Sequence, residues 1–174
     1  MFTRNVLQTI RYTALMGVLP MLAATVSAEP LPGRLGGTWR IIRVLPTTNT
    51  ACWGREQAQP LLGSTLTYRG DSLRWRGGSV PLEDITTRVV SEAEFSRENH
   101  GGAAPATFSQ LGIHARSVLE VDLQHADADI TGATTEVPGD SVLLKGSNRI
   151  VVSACGVYFE AIRSSGLTHA SLQR

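Results

Sequence analysis

Residues 117–124 read Ser-Val-Leu-Glu-Val-Asp-Leu-Gln and contain the clearest alternation of apolar and polar side chains in the chain. Successive side chains of a strand point to opposite faces of its sheet, so Leu119, Val121 and Leu123 share one face. One apolar face beside one polar face is typical of an antiparallel strand that covers a core. The segment therefore predicts a half-buried β-strand.

Similar short segments, apolar or β-branched and bounded by turn-forming residues, occur on both sides of this one. The pairs Gly70-Asp71 and Gly146-Ser147 separate neighbouring segments in the way of hairpin turns. The predicted strands span residues 38–45, 64–69, 72–76, 85–90, 117–124, 141–145, 149–153 and 157–163.

One helix is predicted between the fourth and fifth strands. Ser91 is followed three residues later by Glu94, which is the spacing of a capping box, and the helix is expected over residues 92–99. Seven or eight short strands with one short helix predict a mainly β fold. We expect an antiparallel, closed or nearly closed barrel of about eight strands, with a sandwich as the alternative.

The composition excludes several classes of protein. The chain has 174 residues, of which 42% are hydrophobic and 18% charged, too apolar for a disordered chain and too weakly charged for a coiled coil. The basic residues are fifteen arginines and one lysine. Since the formal net charge is only +1, we expect no nucleic-acid partner.

The first residues have the pattern of a secretory signal peptide. Arg4 and Arg11 precede an apolar run over 13–26, and Val26-Ser27-Ala28 offers small residues for cleavage. The run is shorter than the ~20 residues that span a bilayer, and no cysteine follows it to carry a lipid. We therefore predict a periplasmic or secreted protein without a membrane anchor.

Cleavage would leave a chain of about 150 residues, which is enough for one core. The predicted organisation is a signal peptide over 1–28, a single β-barrel domain over 29–163 and a disordered tail over 164–174. We expect the exported protein to be a monomer.

Cys52 and Cys155 are the only cysteines. An oxidising compartment favours a disulfide between them, which would tie the end of the first strand to the closing segment. The alternative is a nucleophilic Cys52 with His100, His114 or His125 as its base, and no family signature supports that arrangement.

Gly37-Thr38-Trp39 opens the first predicted strand and resembles the Gly-x-Trp signature of lipocalins and their calycin relatives. In that family the tryptophan closes one end of the barrel, and an arginine from the last strand packs over it. The resemblance implies that Arg163 packs over Trp39. The alternative is that Trp39 is a core aromatic of another β fold.

Enzyme motifs are absent from the sequence. It contains no nucleophile elbow, zinc-protease helix, phosphate-binding loop or dinucleotide fingerprint. His125, Asp127 and Asp129 offer metal-ligand chemistry on one side of an extended segment, but a solvated strand end is the favoured interpretation. We predict no catalytic residue, no metal and no cofactor.

A cluster of arginines and aromatics lies on the predicted hairpin. Alternation places Arg74 and Arg76 on the face opposite Leu73 and Trp75. Guanidinium groups suit carboxylate or phosphate partners, and arginine beside aromatics is common at protein interfaces. The alternative is a set of solvated arginines above a buried Trp75.

Two functions follow from these patterns. The first is a carrier whose barrel holds a small apolar ligand, walled by Trp39, Tyr158, Phe159 and the Leu119 face. The second is a protein-binding module, such as a periplasmic inhibitor or immunity-type protein that blocks a hydrolase, with Arg74 and Arg76 at its surface. We predict an exported, non-enzymatic, lipocalin-like binding protein that holds a small apolar ligand or a protein partner. The predicted binding residues are Trp39, Arg74, Trp75, Arg76, Tyr158 and Arg163.

Overall fold

The computed structural model describes residues 29–46, 54–98, 106–125 and 137–164. The predicted signal peptide, Cys52 and residues 165–174 of the predicted tail lie outside these ranges. The described residues form β1 (Gly37–Val44), α1 (Arg55–Ala58) with a 3₁₀ turn (Gln59–Leu61), β2 (Thr65–Arg69), β3 (Ser72–Trp75), β4 (Gly78–Ser91), α2 (Glu92–Glu98), β5 (Ser117–His125), β6 (Ser141–Leu144), β7 (Arg149–Ala154) and β8 (Val157–Arg163).

The eight strands form one closed barrel, in which each strand pairs antiparallel with the next and β8 pairs back with β1. The predicted barrel is confirmed, and the sandwich alternative is wrong. At the closure Trp39 lies opposite Arg163, and the Ser164 amide donates a 2.8 Å hydrogen bond to the Thr38 carbonyl. Closure leaves the barrel without an unpaired edge strand.

Each end of the barrel is contacted by a segment outside the strands. We call the end where β1 begins and β8 ends the lower end, and the opposite one the upper end. At the lower end, Leu35 from the segment before β1 is buried in the core. At the upper end, Ala58 and Leu61 from α1 and the 3₁₀ turn enter the same core.

The interior is lined by bulky side chains. Val121 and Leu123 of β5 join the core cluster as their alternation predicts, and Leu119 packs against it. Trp39, Tyr68, Trp75 and Phe159 are at most 1% exposed, and they are the largest aromatic side chains in this cluster. These aromatic side chains and the rest of the cluster form the apolar core inside the barrel.

A second apolar layer covers part of the outer face of the barrel. Phe95 of α2 lies 5.8 Å from the Phe108 ring and 5.9 Å from the Tyr158 ring, measured between centroids. Leu143 and Val151, which point outward from β6 and β7, are buried in the same cluster. Leu143, Val151 and Tyr158 are therefore buried on the outer face because α2 and residues 106–113 pack against them.

The predicted capping box is confirmed at the start of α2. The Ser91 amide donates to Glu94 Oε2 at 2.8 Å, and the Glu94 amide donates to Ser91 Oγ at 3.4 Å. These bonds satisfy two of the amides that a helix N-terminus leaves without partners. They also hold the pKa of Glu94 below its usual range, because the Ser91 amide donates to the carboxylate.

Candidate binding surface

Trp39 and Arg163 pack against each other at the lower end of the barrel. The guanidinium carbon of Arg163 lies 4.2 Å from the centre of the Trp39 ring, so the contact implied by the lipocalin resemblance is present. Its Nη1 donates to the Gly36 carbonyl at 2.6 Å, and Nη2 donates to the Arg34 carbonyl at 2.5 Å. Trp39 Nε1 donates to the Leu35 carbonyl at 2.7 Å. The hydrogen bonds of Arg163 tie the segment before β1 to β8. Trp39 is fully buried and therefore presents little surface to a ligand.

Trp75 and Arg76 form a second pair at the upper end, where the expected alternation stops. β3 ends at Trp75, and Arg76 lies in the following turn with a φ of 48°. Its guanidinium carbon lies 4.7 Å from the centre of the Trp75 ring, and Nη2 donates to the Pro60 carbonyl at 3.1 Å. The prediction that Arg76 continues the strand alternation of Arg74 is therefore wrong, because β3 ends at Trp75. Arg76 is nevertheless exposed, as Arg74 is.

Tyr158 lies on the outside of the barrel, so it does not line the interior. Neighbouring residues of a strand point to opposite faces, and Phe159 takes the inner position. α2 covers Tyr158, and burial together with the charge of Glu120 raises the pKa of its hydroxyl to about 12. The prediction that Tyr158 lines the barrel interior together with Trp39 and Phe159 is therefore wrong.

Exposed arginines are concentrated on the outer face of the first three strands. The cluster, here called the arginine wall, consists of Arg40, Arg43, Arg69, Arg74 and Arg76, all exposed. The strands β1, β2 and β3 themselves carry no acidic residue. Asp71 lies in the turn between β2 and β3, and Glu56 lies on α1. Strand register interleaves the arginines with threonines, since Arg40 lies opposite Thr65 and Arg74 lies opposite Thr67.

A surface groove of about 160 Å³ lies within the arginine wall. Its lining residues are Thr65, Thr67, Arg74, Trp75, Arg76 and Gly77. Two guanidinium groups and two threonine hydroxyls thus border one depression, which offers hydrogen-bond donors to an anionic group. A second depression of about 370 Å³, lined by Asn148, Arg149, Ile162 and Arg163, lies on β7 and β8.

Glu160 has a buried carboxylate that lies at the edge of the arginine wall, in contact with Arg43. Glu160 points outward from β8 but is fully buried, and it contacts three cations: Arg43 Nε at 2.6 Å, Lys145 Nζ at 3.0 Å and Arg149 Nη1 at 3.0 Å. Burial alone would raise the pKa of Glu160, but the hydrogen bonds from Lys145 and Arg149 and the surrounding positive charge outweigh it and lower that pKa. Because one carboxylate faces three cations, this cluster leaves positive charge beside the wall.

Acidic residues are concentrated on the other side of the barrel. β4, α2 and β5 carry Glu83, Asp84, Glu92, Glu94, Glu98, Glu120 and Asp122. Arg88 pairs there with Glu98 and contacts Glu120 at 2.6 Å. Burial is the main reason that the pKa of Glu120 is raised. The small net charge of the chain therefore hides a separation of charge across the molecule.

The remaining candidate residues form no metal centre in the described part of the chain. His125 Nε2 lies 2.9 Å from Asp140 Oδ1, and no group of three possible ligands is found among the described residues. Asp127 and Asp129 lie outside the described ranges. Cys155 is buried at the turn between β7 and β8, whereas its expected partner Cys52 lies outside those ranges, so the disulfide stays a prediction.

Comparisons with family models, curated proteins and solved structures found no match to this chain. Within the described ranges, no helix has the length and apolar character to cross a membrane. The geometry therefore defines a closed eight-stranded barrel with a core of buried apolar side chains and an arginine-rich outer wall.

Sequence reasoning located part of this surface and missed the rest. It identified Arg74 and Arg76 because they flank Trp75 within three residues. It did not identify Arg40 or Arg43, because their proximity to these arginines depends on strand register. The available signal for Arg40 was its polar position between Trp39 and Ile41 in a predicted strand.

Proposed function

We propose that this chain is an exported, non-enzymatic binding protein of lipocalin-like architecture that binds a protein partner on its outer surface. The observation that carries the proposal is the exposed arginine wall on β1 to β3. Arginine is enriched at protein interfaces, where its planar group forms several hydrogen bonds at once. An inhibitor or immunity-type protein that blocks a hydrolase would be one member of this class.

The packing of the barrel favours a protein partner over a small apolar ligand. A carrier needs space between its inner side chains, and ligand pockets of this kind typically enclose about 300–1,000 Å³. Here Trp39, Tyr68, Trp75 and Phe159 occupy the interior and are almost fully buried. Tyr68 also donates a 3.2 Å hydrogen bond to the Gly139 carbonyl, which fixes its ring in the core.

Export and a Cys52–Cys155 disulfide are part of the same proposal. Supporting the pair, Cys155 is buried and no free cysteine occurs among the described residues. Alkylation of the denatured, unreduced protein, purified from its exported compartment, tests both points by intact mass. We expect a chain that begins near Glu29 and takes up no alkyl groups. Two alkylated thiols would contradict the disulfide.

Site-specific photo-crosslinking tests the binding surface. A photoreactive amino acid replaces the exposed Thr65 in the groove, and a matched variant carries it at the exposed Thr86 on β4. In the native host we expect a discrete protein adduct from the Thr65 position and none from the Thr86 position. Adducts of equal yield from both positions, or from neither, would contradict the proposed surface.

Native mass spectrometry of the same exported protein tests the carrier alternative. We expect the mass of the polypeptide alone, because the interior is filled by its own side chains. A reproducible additional small-molecule mass, lost on denaturation, would favour the carrier and count against the proposal.

A further inference from the structure

We propose that the groove bordered by Arg74 and Arg76 binds carboxylate side chains of an acidic segment on the partner. This inference rests on the proposed function and specifies the chemistry of its partner. The groove combines two guanidinium groups with the hydroxyls of Thr65 and Thr67. A carboxylate has two oxygens that each accept such bonds, and a guanidinium matches that planar geometry with two parallel donors.

Arg74 is the residue best placed for this contact. It is exposed, and the ion pairs among the described residues involve Arg43, Arg88, Lys145 and Arg149 but not Arg74. Arg76 is held in place by Trp75 and by the Pro60 carbonyl, which engages only one of its nitrogens. The groove therefore has one fixed and one unengaged guanidinium.

The surrounding charge favours an acidic partner at this position. Arg40 lies opposite Thr65 on the neighbouring strand, and Arg69 lies further along the wall. Neither arginine forms an ion pair with a described residue. Since seven acidic residues lie on β4, α2 and β5, an approaching acidic surface is attracted to the wall and repelled from that other side.

Protein carboxylates fit this surface better than nucleic-acid phosphates. Ile42 is exposed on β1 and Ile162 is half-buried on β8, so apolar side chains lie among the arginines. Arginines mixed with apolar residues are typical of protein interfaces.

Fluorescence anisotropy with a labelled decaglutamate peptide tests the chemistry directly. The exported chain is titrated at low salt into this probe and into a DNA single strand of equal charge. We expect the peptide to bind more tightly than the DNA, and Arg74→Gln to weaken its binding about tenfold, the size of one charged hydrogen bond. Arg74→Lys should recover only part of the loss, because lysine lacks the planar fork.

Arg116→Gln is the matched control, since Arg116 is also exposed but precedes β5 on the acidic side. We expect it to bind the peptide as the wild type does. Equal weakening by Arg116→Gln and Arg74→Gln, or tighter binding of the DNA than of the peptide, would overturn the inference. Circular dichroism of each variant excludes loss of fold as the cause.

The crosslinking experiment separates failure of this inference from failure of the proposed function. If Thr65 crosslinks to a protein but Arg74→Gln changes neither the adduct yield nor peptide binding, the partner binds through other chemistry. The inference is then wrong while the proposed function stands. If Thr65 gives no adduct, the proposed surface itself fails.

Discussion

Glu160 is the residue whose charge matters most for the stability of the barrel wall. Its carboxylate is fully buried and holds Arg43, Lys145 and Arg149 within 3.0 Å. Glu160→Gln would remove the negative charge and leave three cations close together. Loss of one partner from a buried ion pair typically costs 3–5 kcal/mol, and we expect the free energy of unfolding to fall by about 3 kcal/mol.

Urea denaturation followed by circular dichroism measures this difference. The control is Glu83→Gln at an exposed position on β4, where a change within about 0.5 kcal/mol is expected. If the two variants lost stability equally, the Glu160 cluster would not be the stabilising centre that its contacts indicate.

Gly37 is required by backbone conformation and by a close approach. Its φ is +118°, and a Cβ atom at this position would lie 2.7 Å from Arg163 Nη1. We expect Gly37→Ala to lower the free energy of unfolding by about 2 kcal/mol through backbone strain and displacement of Arg163. The matched substitution Gly33→Ala, where nothing lies within 4 Å, should change it little in the same urea experiment. Equal effects would contradict the role of the Arg163 contact.

At the scale of elements, α2 stabilises the barrel from outside. Phe95 is buried against Phe108 and Tyr158. Phe95→Ala would open a cavity in this layer, and we expect a loss of about 3 kcal/mol in the free energy of unfolding. Arg97→Ala at an exposed position of the same helix should cost less than about 0.5 kcal/mol by chemical denaturation. A small effect at Phe95 would mean that α2 is only loosely attached.

The predicted elements agree with the structure where alternation was continuous and differ where a single residue interrupted it. β8 has the predicted bounds, whereas β4 begins at Gly78, seven residues before the predicted start at Ile85. The added residues include Pro81, although proline rarely lies inside a sheet. Proline has no N–H to donate. The Leu82 amide faces β3, so the nitrogen of Pro81 faces the β5 side. No strand bond is lost there, because the pairing with β5 begins only at Leu82.

The two helices differ in how well local sequence predicts them. The capping box of Ser91 and Glu94 is a contact between residues three positions apart, so the sequence was sufficient to predict α2. α1 and its 3₁₀ turn lie between the first two predicted strands, where no element was predicted. Among the residues of these two turns whose burial is described, only Ala58 and Leu61 are buried, and two apolar residues give too weak a pattern to predict a helix.

At the scale of the whole molecule, two buried carboxylates should shape the dependence of stability on pH. Burial raises the pKa of Glu120 above 4.5, whereas the cations around Glu160 lower its pKa below that value despite burial. The raised pKa of Glu120 means that the folded state binds its proton more tightly than the unfolded state does. The free energy of unfolding therefore rises as the pH falls toward 4.5. The lowered pKa of Glu160 means that the unfolded state binds its proton more tightly than the folded state does. The free energy of unfolding therefore falls as the pH drops below 4.5.

Urea midpoints between pH 7 and pH 3 for the wild type, Glu120→Gln and Glu160→Gln test this expectation. On acidification toward 4.5 the wild type should gain stability relative to Glu120→Gln. Below 4.5 it should lose stability relative to Glu160→Gln. Parallel curves for all three proteins would contradict the opposite shifts of the two carboxyl groups.

The candidate surface was less predictable than the fold. Local alternation is enough to place Arg74 outside the barrel, but the arginine wall depends on register between strands that local sequence does not encode. The predicted alternation of Arg76 with Trp75 failed because β3 ends at Trp75 and Arg76 lies in a turn with positive φ. Charge separation also remained hidden, because net charge averages over both sides of the molecule.

The closure between β1 and β8 places the two ends of the barrel domain beside each other, with Ser164 bonded to Thr38. The order of the strands along the chain is therefore one of several that this barrel allows. A circular permutant that joins the two ends through a short linker and opens the chain at Gly70-Asp71 would keep every strand pair while changing which strand is synthesised first. In such a protein the arginines of β1 and β2 would reach the barrel last, and the pairing of β2 with β3 would become the step that closes it.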